Sequence, residues 1–191
     1  MRVCVFASSS SRINNEYAIA ASKLGLLLAL ANIGIVYGGG GIGLMGKLAD
    51  AVIKNGGSIT GVIPSFMMDE GWDHSDVNEM IITPDMGERK KQMFAMADAI
   101  IALPGGVGTL EELTEAITLK QLGLFSGPII ILNTLKFYKS LIDFFEQMIS
   151  GHFLRYEHKG IWEIADTPEE VISFLLKNDT WFLDPIRIAK I

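Results

Sequence analysis

Short apolar runs recurring between longer helical stretches constrain this chain more than any other feature. Residues 2–7, 34–37, 58–63, 77–82, 99–103 and 128–132 are such runs, as in "AIIAL" and "PIIIL". They are mostly continuous rather than alternating, the pattern of strands buried on both faces. Residues 16–31, 44–54, 90–97, 110–122, 137–150 and 168–176 have the length and composition of helices. This alternation predicts an α/β fold, a doubly wound, Rossmann-like parallel sheet with helices on both faces. A chain of 191 residues holds one sizeable core and is short for two, so one domain over 1–191 is expected. Ligands of such sheets sit at the carboxyl ends of the strands.

Composition narrows the function. A net charge of -6 argues against an extended nucleic-acid footprint, which needs clustered Lys and Arg. A small anion needs only a local positive site. Cys4 is the one cysteine and falls in an apolar run, so it reads as a buried strand residue. His74, His152 and His158 stand in no ligand spacing, so no metal site is expected. No run is long enough to span a membrane, and the apolar N-terminal stretch is too short for a signal peptide; the expected setting is cytoplasmic. Hydrophobic residues make up 49% of the chain, more than one small core uses, which points to a subunit interface.

The stretch "YGGGGIGLMGKLADAV" at 37–52 spells both a G-x-G-x-x-G fingerprint and most of a P-loop. Neither fits. Leu48 stands where a P-loop carries the magnesium-binding Ser or Thr, and the glycines follow the second strand with no acidic residue ending the next. What remains is a glycine-rich strand-to-helix turn, which either admits an anion to backbone amides or serves only tight packing. A second such turn, "LPGGVGTLEEL" at 103–113, favours the first use. There Gly105, Gly106 and Gly108 expose amides and Thr109 offers a hydroxyl at a helix start. Glu111 and Glu112 would fall in the first turn of that helix, where a bound phosphate would repel them. They read as capping acids or as a working carboxylate. Upstream, "MGERKKQM" at 86–93 is a basic cluster in an acidic chain. It reads as a solvated helix face, or as cations opening a helix for an anionic partner. Residues 65–75 show little periodicity and form either a loop over a site or an ordinary connection.

With "YGGGGIGLMG", "ERKKQM" and "ALPGGVGTLEEL" in this order, the chain resembles the Lonely Guy family of cytokinin riboside 5'-monophosphate phosphoribohydrolases, often labelled lysine decarboxylase-like. The resemblance runs from about residue 3 to 175. It includes the signature P-G-G-x-G-T-x-x-E from Pro104 to Glu112 and an upstream R-K-x-x-M formed by Arg89, Lys90 and Met93. It implies hydrolysis of the N-glycosidic bond of an adenosine 5'-monophosphate, plain or N6-prenylated, by a homodimer needing no cofactor. By motif position it implies that Arg89 and Glu112 form the catalytic pair and that Gly105, Gly106, Gly108 and Thr109 hold the phosphate. Lys90, Met93 and the turn containing Gly39, Gly40, Gly41 and Gly43 would complete the nucleotide site. The chain departs from the family pattern at Gly87, Leu119 and "ASSS" at 7–10, positions expected at the base pocket or rim.

Two rival readings follow. Molybdenum-cofactor carriers have a similar fold and also use glycine turns, but a carrier needs no carboxylate beside the phosphate. A pyridoxal-phosphate lysine decarboxylase is disfavoured by the short chain and by the lack of a lysine in a Schiff-base context.

Overall fold

A computed structural model describes residues 1–77 and 79–177. Seven strands, β1 (Arg2–Phe6), β2 (Gly34–Tyr37), β3 (Ile59–Pro64), β4 (Glu79–Thr83), β5 (Ala99–Ala102), β6 (Ile129–Leu132) and β7 (Trp162–Ala165), form one sheet. Its order is β4-β3-β2-β1-β5-β6-β7, and every pairing is parallel. The helices are α1 (Asn15–Leu30), α2 (Gly43–Lys54), α3 (Ser65–Asp69), α4 (Met86–Ala95), α5 (Val107–Gln121), α6 (Lys139–Ser150) and α7 (Pro168–Leu176).

The period-2 geometry of a strand splits β1 between two cores. Val3 and Val5 join Leu24, Leu28, Leu48 and Val52, so α1 and α2, with α7, cover one face. Cys4 and Phe6 join Met93, Leu113, Ile117 and Phe145 of α4, α5 and α6 on the other. Both faces are therefore covered, as the continuous apolar runs predicted. Burying a side chain such as Leu24 or Ile101 contributes about 1.5–3 kcal/mol.

The structure corrects several boundaries. α4 begins at Met86 because the Asp85 side chain caps it, accepting a hydrogen bond from Glu88 N at 2.8 Å. Arg89 therefore lies in the second turn, and the first turn carries the acid Glu88 rather than a cation. α5 begins at Val107, which moves Glu111 and Glu112 out of its first turn, where no acid stands. The 65–75 stretch contains α3, and β7 has no counterpart among the predicted strands. The tail "TWFLDPIRIAKI" at 180–191, expected to finish the fold or cross to a partner, lies outside the described residues.

Candidate active site at the switch point

β1 and β5 are neighbours at the centre of the sheet, and strand order runs outward from them in both directions. The helices that follow them, α1 and α5, pack on opposite faces. The loops leaving their carboxyl ends consequently diverge and open a crevice. Ser8 N donates to Pro104 O across its base at 3.3 Å. A cavity of about 590 Å³ lies there.

At its floor Arg89 and Glu112 meet. Arg89 is 6% exposed and Glu112 7%. Arg89 Nη1 donates to Glu112 Oε1 at 3.2 Å. The guanidinium is fixed from two further sides, Nε donating to Val62 O at 3.0 Å and Nη2 to Gly38 O at 3.1 Å. Close approach to Gly38 requires glycine, because a Cβ there would lie 1.9 Å from Arg89 Nη2. A strand, a helix and a strand-to-helix turn thus converge on one cation. Burial pushes the Glu112 carboxyl up to about 7, Arg89 opposes the rise, and Glu111 adds to it. Desolvation is the larger effect because a single partner cannot replace the hydration of a buried carboxylate. The result is a carboxyl that titrates near neutrality at the bottom of a pocket, the property of a general acid or base.

The two glycine turns differ. In the second, Gly106 caps α5 and lines the cavity together with Gly108 and Thr109. Among the described residues no protein acceptor meets the N–H groups of Gly106, Val107, Gly108 or Thr109. Gly105 lies behind them, with space only for Thr109. In the first turn Gly40 lines the cavity, but Gly41 N donates to Trp72 O at 3.1 Å and Gly39 O accepts from His74 N at 2.9 Å. Gly43, at φ 69°, packs on the backbone of Ser8 and Ser9, and Leu44 N donates to Ser8 O at 2.8 Å.

Of the residues singled out from sequence, Arg89, Glu112, Met93, Gly40, Gly106, Gly108 and Thr109 line one cavity. Gly39, Gly41, Gly43 and Gly105 support it from behind. Lys90 does not line it; its Nζ donates to Glu111 and lies 2.7 Å from Glu115 Oε2. The rest of the wall is built from side chains that carry no motif of their own. Met45, Met67, Trp72 and Met86 line the cavity together with Ser8, Ser9 and Ser10. Trp72 and Met67 come from the 65–75 stretch, which therefore does border the site. Of the departures from the family pattern, only 7–10 reach the cavity, while Gly87 and Leu119 stand outside its wall. No lysine lines the cavity among the described residues.

The family described as "Possible lysine decarboxylase" matches residues 45–175. The cytokinin riboside 5'-monophosphate phosphoribohydrolase LOG4 of Arabidopsis thaliana is 42% identical over 174 residues, covering 91% of this chain and 81% of that protein. The probable phosphoribohydrolase LOGL6 of Oryza sativa subsp. japonica is 41% identical over 91% of this chain and 70% of its own. Among solved structures, the molybdenum cofactor carrier protein of Chlamydomonas reinhardtii aligns at TM-score 0.69 and 20% identity, covering 90% of this chain and 93% of that one. The molybdenum cofactor binding protein of Rippkaea orientalis aligns at TM-score 0.64 and 24% identity over 90% and 91% of the two chains. These two likenesses concern the fold.

Proposed function

This chain belongs to the lysine decarboxylase-like, or Lonely Guy, family, and from that premise we propose that it is a hydrolase of nucleoside 5'-monophosphates. It cleaves the N-glycosidic bond of cytokinin riboside monophosphates or of AMP, giving free base and ribose 5-phosphate. The observation that carries this reading is the buried Arg89–Glu112 pair beside the 105–109 turn, whose amides at 106–109 meet no protein acceptor among the described residues.

The 5'-phosphate accepts hydrogen bonds from those amides and from the Thr109 hydroxyl. Each charge-assisted bond of this kind is worth about 1.5–3 kcal/mol. The α5 N-terminus adds a favourable dipole. Anchoring the phosphate holds the ribose over Glu112, so binding energy at a remote group serves the reacting carbon. As the C1'–N9 bond breaks, its electron pair leaves with the base and positive charge grows on the ribose. The Glu112 carboxylate stabilises that charge. It also takes one proton of the water whose oxygen forms the new bond to C1' and passes it to the departing base, while the water's other hydrogen stays on the new sugar hydroxyl. Arg89 keeps the carboxylate aimed through its hydrogen bond. The methionines and Trp72 give the base an adaptable apolar wall, compatible with adenine or a prenylated adenine.

A homodimer belongs to the same proposal, supported by the exposed apolar residues Val107, Leu110, Leu122 and Leu124 on and after α5. So does the cytoplasmic setting. A carrier function is less well supported, since carrying a cofactor does not call for a buried carboxylate at the floor of the site.

Chromatography of the base released from isopentenyladenosine monophosphate and from AMP tests the proposal. Release from either supports it, and the ratio ranks the substrates. Nucleotide binding without release from both would replace it with the carrier reading.

A further inference from the structure

Glu111, Glu112 and Glu115 follow one another on a single stretch of α5, one turn after the amides that suit a phosphate dianion. Like charges at that spacing oppose both ionisation and anion binding, so some group must offset them. Arg89 is bonded to Glu112 alone among the carboxylates. The next residue, Lys90, reaches the other two. Its Nζ donates to Glu111 Oε1 and stands 2.7 Å from Glu115 Oε2. Its side chain is 16% exposed, and both carboxylates hold its ammonium in the charged form, Glu111 most strongly.

Glu112 is faced by Arg89 and Lys90 from α4 and by Glu111 and Glu115 on its own helix. Cys4 of β1 and Tyr138, ahead of α6, complete its surroundings. Burial raises the proton affinity of both, so both remain neutral. Lys90 is therefore the cation that balances the two flanking carboxylates. It reaches them without lining the cavity.

We propose that Lys90 is a positioning residue rather than a nucleotide ligand: its bridge to Glu111 and Glu115 cancels charge beside the glycine turn, so that a phosphate dianion and an ionised Glu112 can share one site. The consequence for turnover rests on the phosphoribohydrolase reading. The electrostatic consequence for Glu112 does not. The fold achieves both links through adjacent residues of α4, Arg89 turned inward to the floor and Lys90 turned along α5.

The test is a carbon-13 titration of protein labelled at the glutamate carboxyl, with the Glu112 signal assigned by its loss in Glu112→Gln. Lys90→Met should raise the Glu112 midpoint by roughly one pH unit, the size expected of a nearby cation in a partly screened site. Glu111→Gln should lower it, and the double variant Lys90→Met/Glu111→Gln should return it toward the native value. The acidic limb of the kcat profile should move in step, and KM for the monophosphate should rise in Lys90→Met and recover in the double variant.

A merely structural tie between helices would leave the Glu112 midpoint of Lys90→Met in place, and an unmoved midpoint in that variant would overturn the proposal. A KM that stays high in the double variant would make Lys90 a direct ligand, and would also overturn it. If Lys90→Met does not fold, Lys90→Gln carries the test, with the same rise of the Glu112 midpoint expected and an unmoved midpoint overturning the proposal. Midpoints that move as expected in a protein releasing no base would support the role of Lys90 and sink the phosphoribohydrolase reading.

Discussion

The two glycine turns look interchangeable in sequence, each following an apolar strand and opening a helix, yet the structure uses them in opposite ways. In the 38–43 turn the polar backbone is largely occupied. Gly41 N is bonded to Trp72 O, and the first amides of α2 are capped by the Ser8 carbonyl at 2.8 and 3.3 Å. In the 105–109 turn the amides at the start of α5 have no acceptor among the described residues, and added methyl groups at Gly106 and Gly108 would meet nothing within 4 Å. Glycine serves close backbone packing in one place and open access in the other. The first turn builds a wall and seats Arg89; the second leaves its amides open to the cavity.

Substitutions should separate the two roles. Gly43→Ala has the largest expected effect. A side chain there combines a left-handed φ of 69° with a Cβ 2.6 Å from Ser8 O. Together these should cost about 2–5 kcal/mol of stability, measured by chemical denaturation. A native midpoint would mean that the first turn is not a packing device.

Gly106→Ala/Gly108→Ala should do the reverse. Stability stays within about 0.5 kcal/mol, while affinity for a nucleoside monophosphate falls roughly 100-fold, the equivalent of two lost phosphate hydrogen bonds. Calorimetry against AMP checks this, and undiminished affinity would remove the phosphate from this turn. Thr109→Val sharpens the contrast further, with a roughly 10-fold loss for the monophosphate and none for the free nucleoside. Equal losses for both would place the hydroxyl elsewhere on the ligand. Smallest of all is Lys47→Met. The P-loop look-alike makes this lysine a phosphate ligand, but it is exposed on α2 and outside the cavity wall, so KM should be unchanged. A marked rise would show that the first turn also binds phosphate.

Much of the fold was legible because buried central strands announce themselves as apolar runs. Ile129–Leu132 is an example, every residue buried. β7 was not legible because it is an edge strand, where only Trp162 and Ala165 of "WEIA" are buried. The starts of α4 and α5 are masked for a different reason: Gly87 and Gly108 look like loop residues. The Asp85 cap with Glu88 three residues on was the available signal.

Arg89 and Glu112 stand 23 residues apart, and no local pattern pairs them. Family resemblance named them, and only the crossing of α4 over the end of β3 brings them together. The wall formed by Met45, Met67 and Trp72 was illegible because it assembles from separate connections at the strand ends. A methionine in the first turn of a helix, or a tryptophan in the turn after one, carries no mark of what it will face.

The central claim is that Glu112 does chemistry on a nucleotide held by the second turn. Glu112→Gln tests it most directly, because it keeps the side chain's volume and a hydrogen-bond acceptor for Arg89. Alanine would leave a buried guanidinium without its carboxylate, at a cost of about 3–5 kcal/mol. The measurement is base release and nucleotide affinity on the same variant. The account predicts near-native affinity with turnover lowered roughly 10²–10⁴-fold; near-native turnover would contradict it.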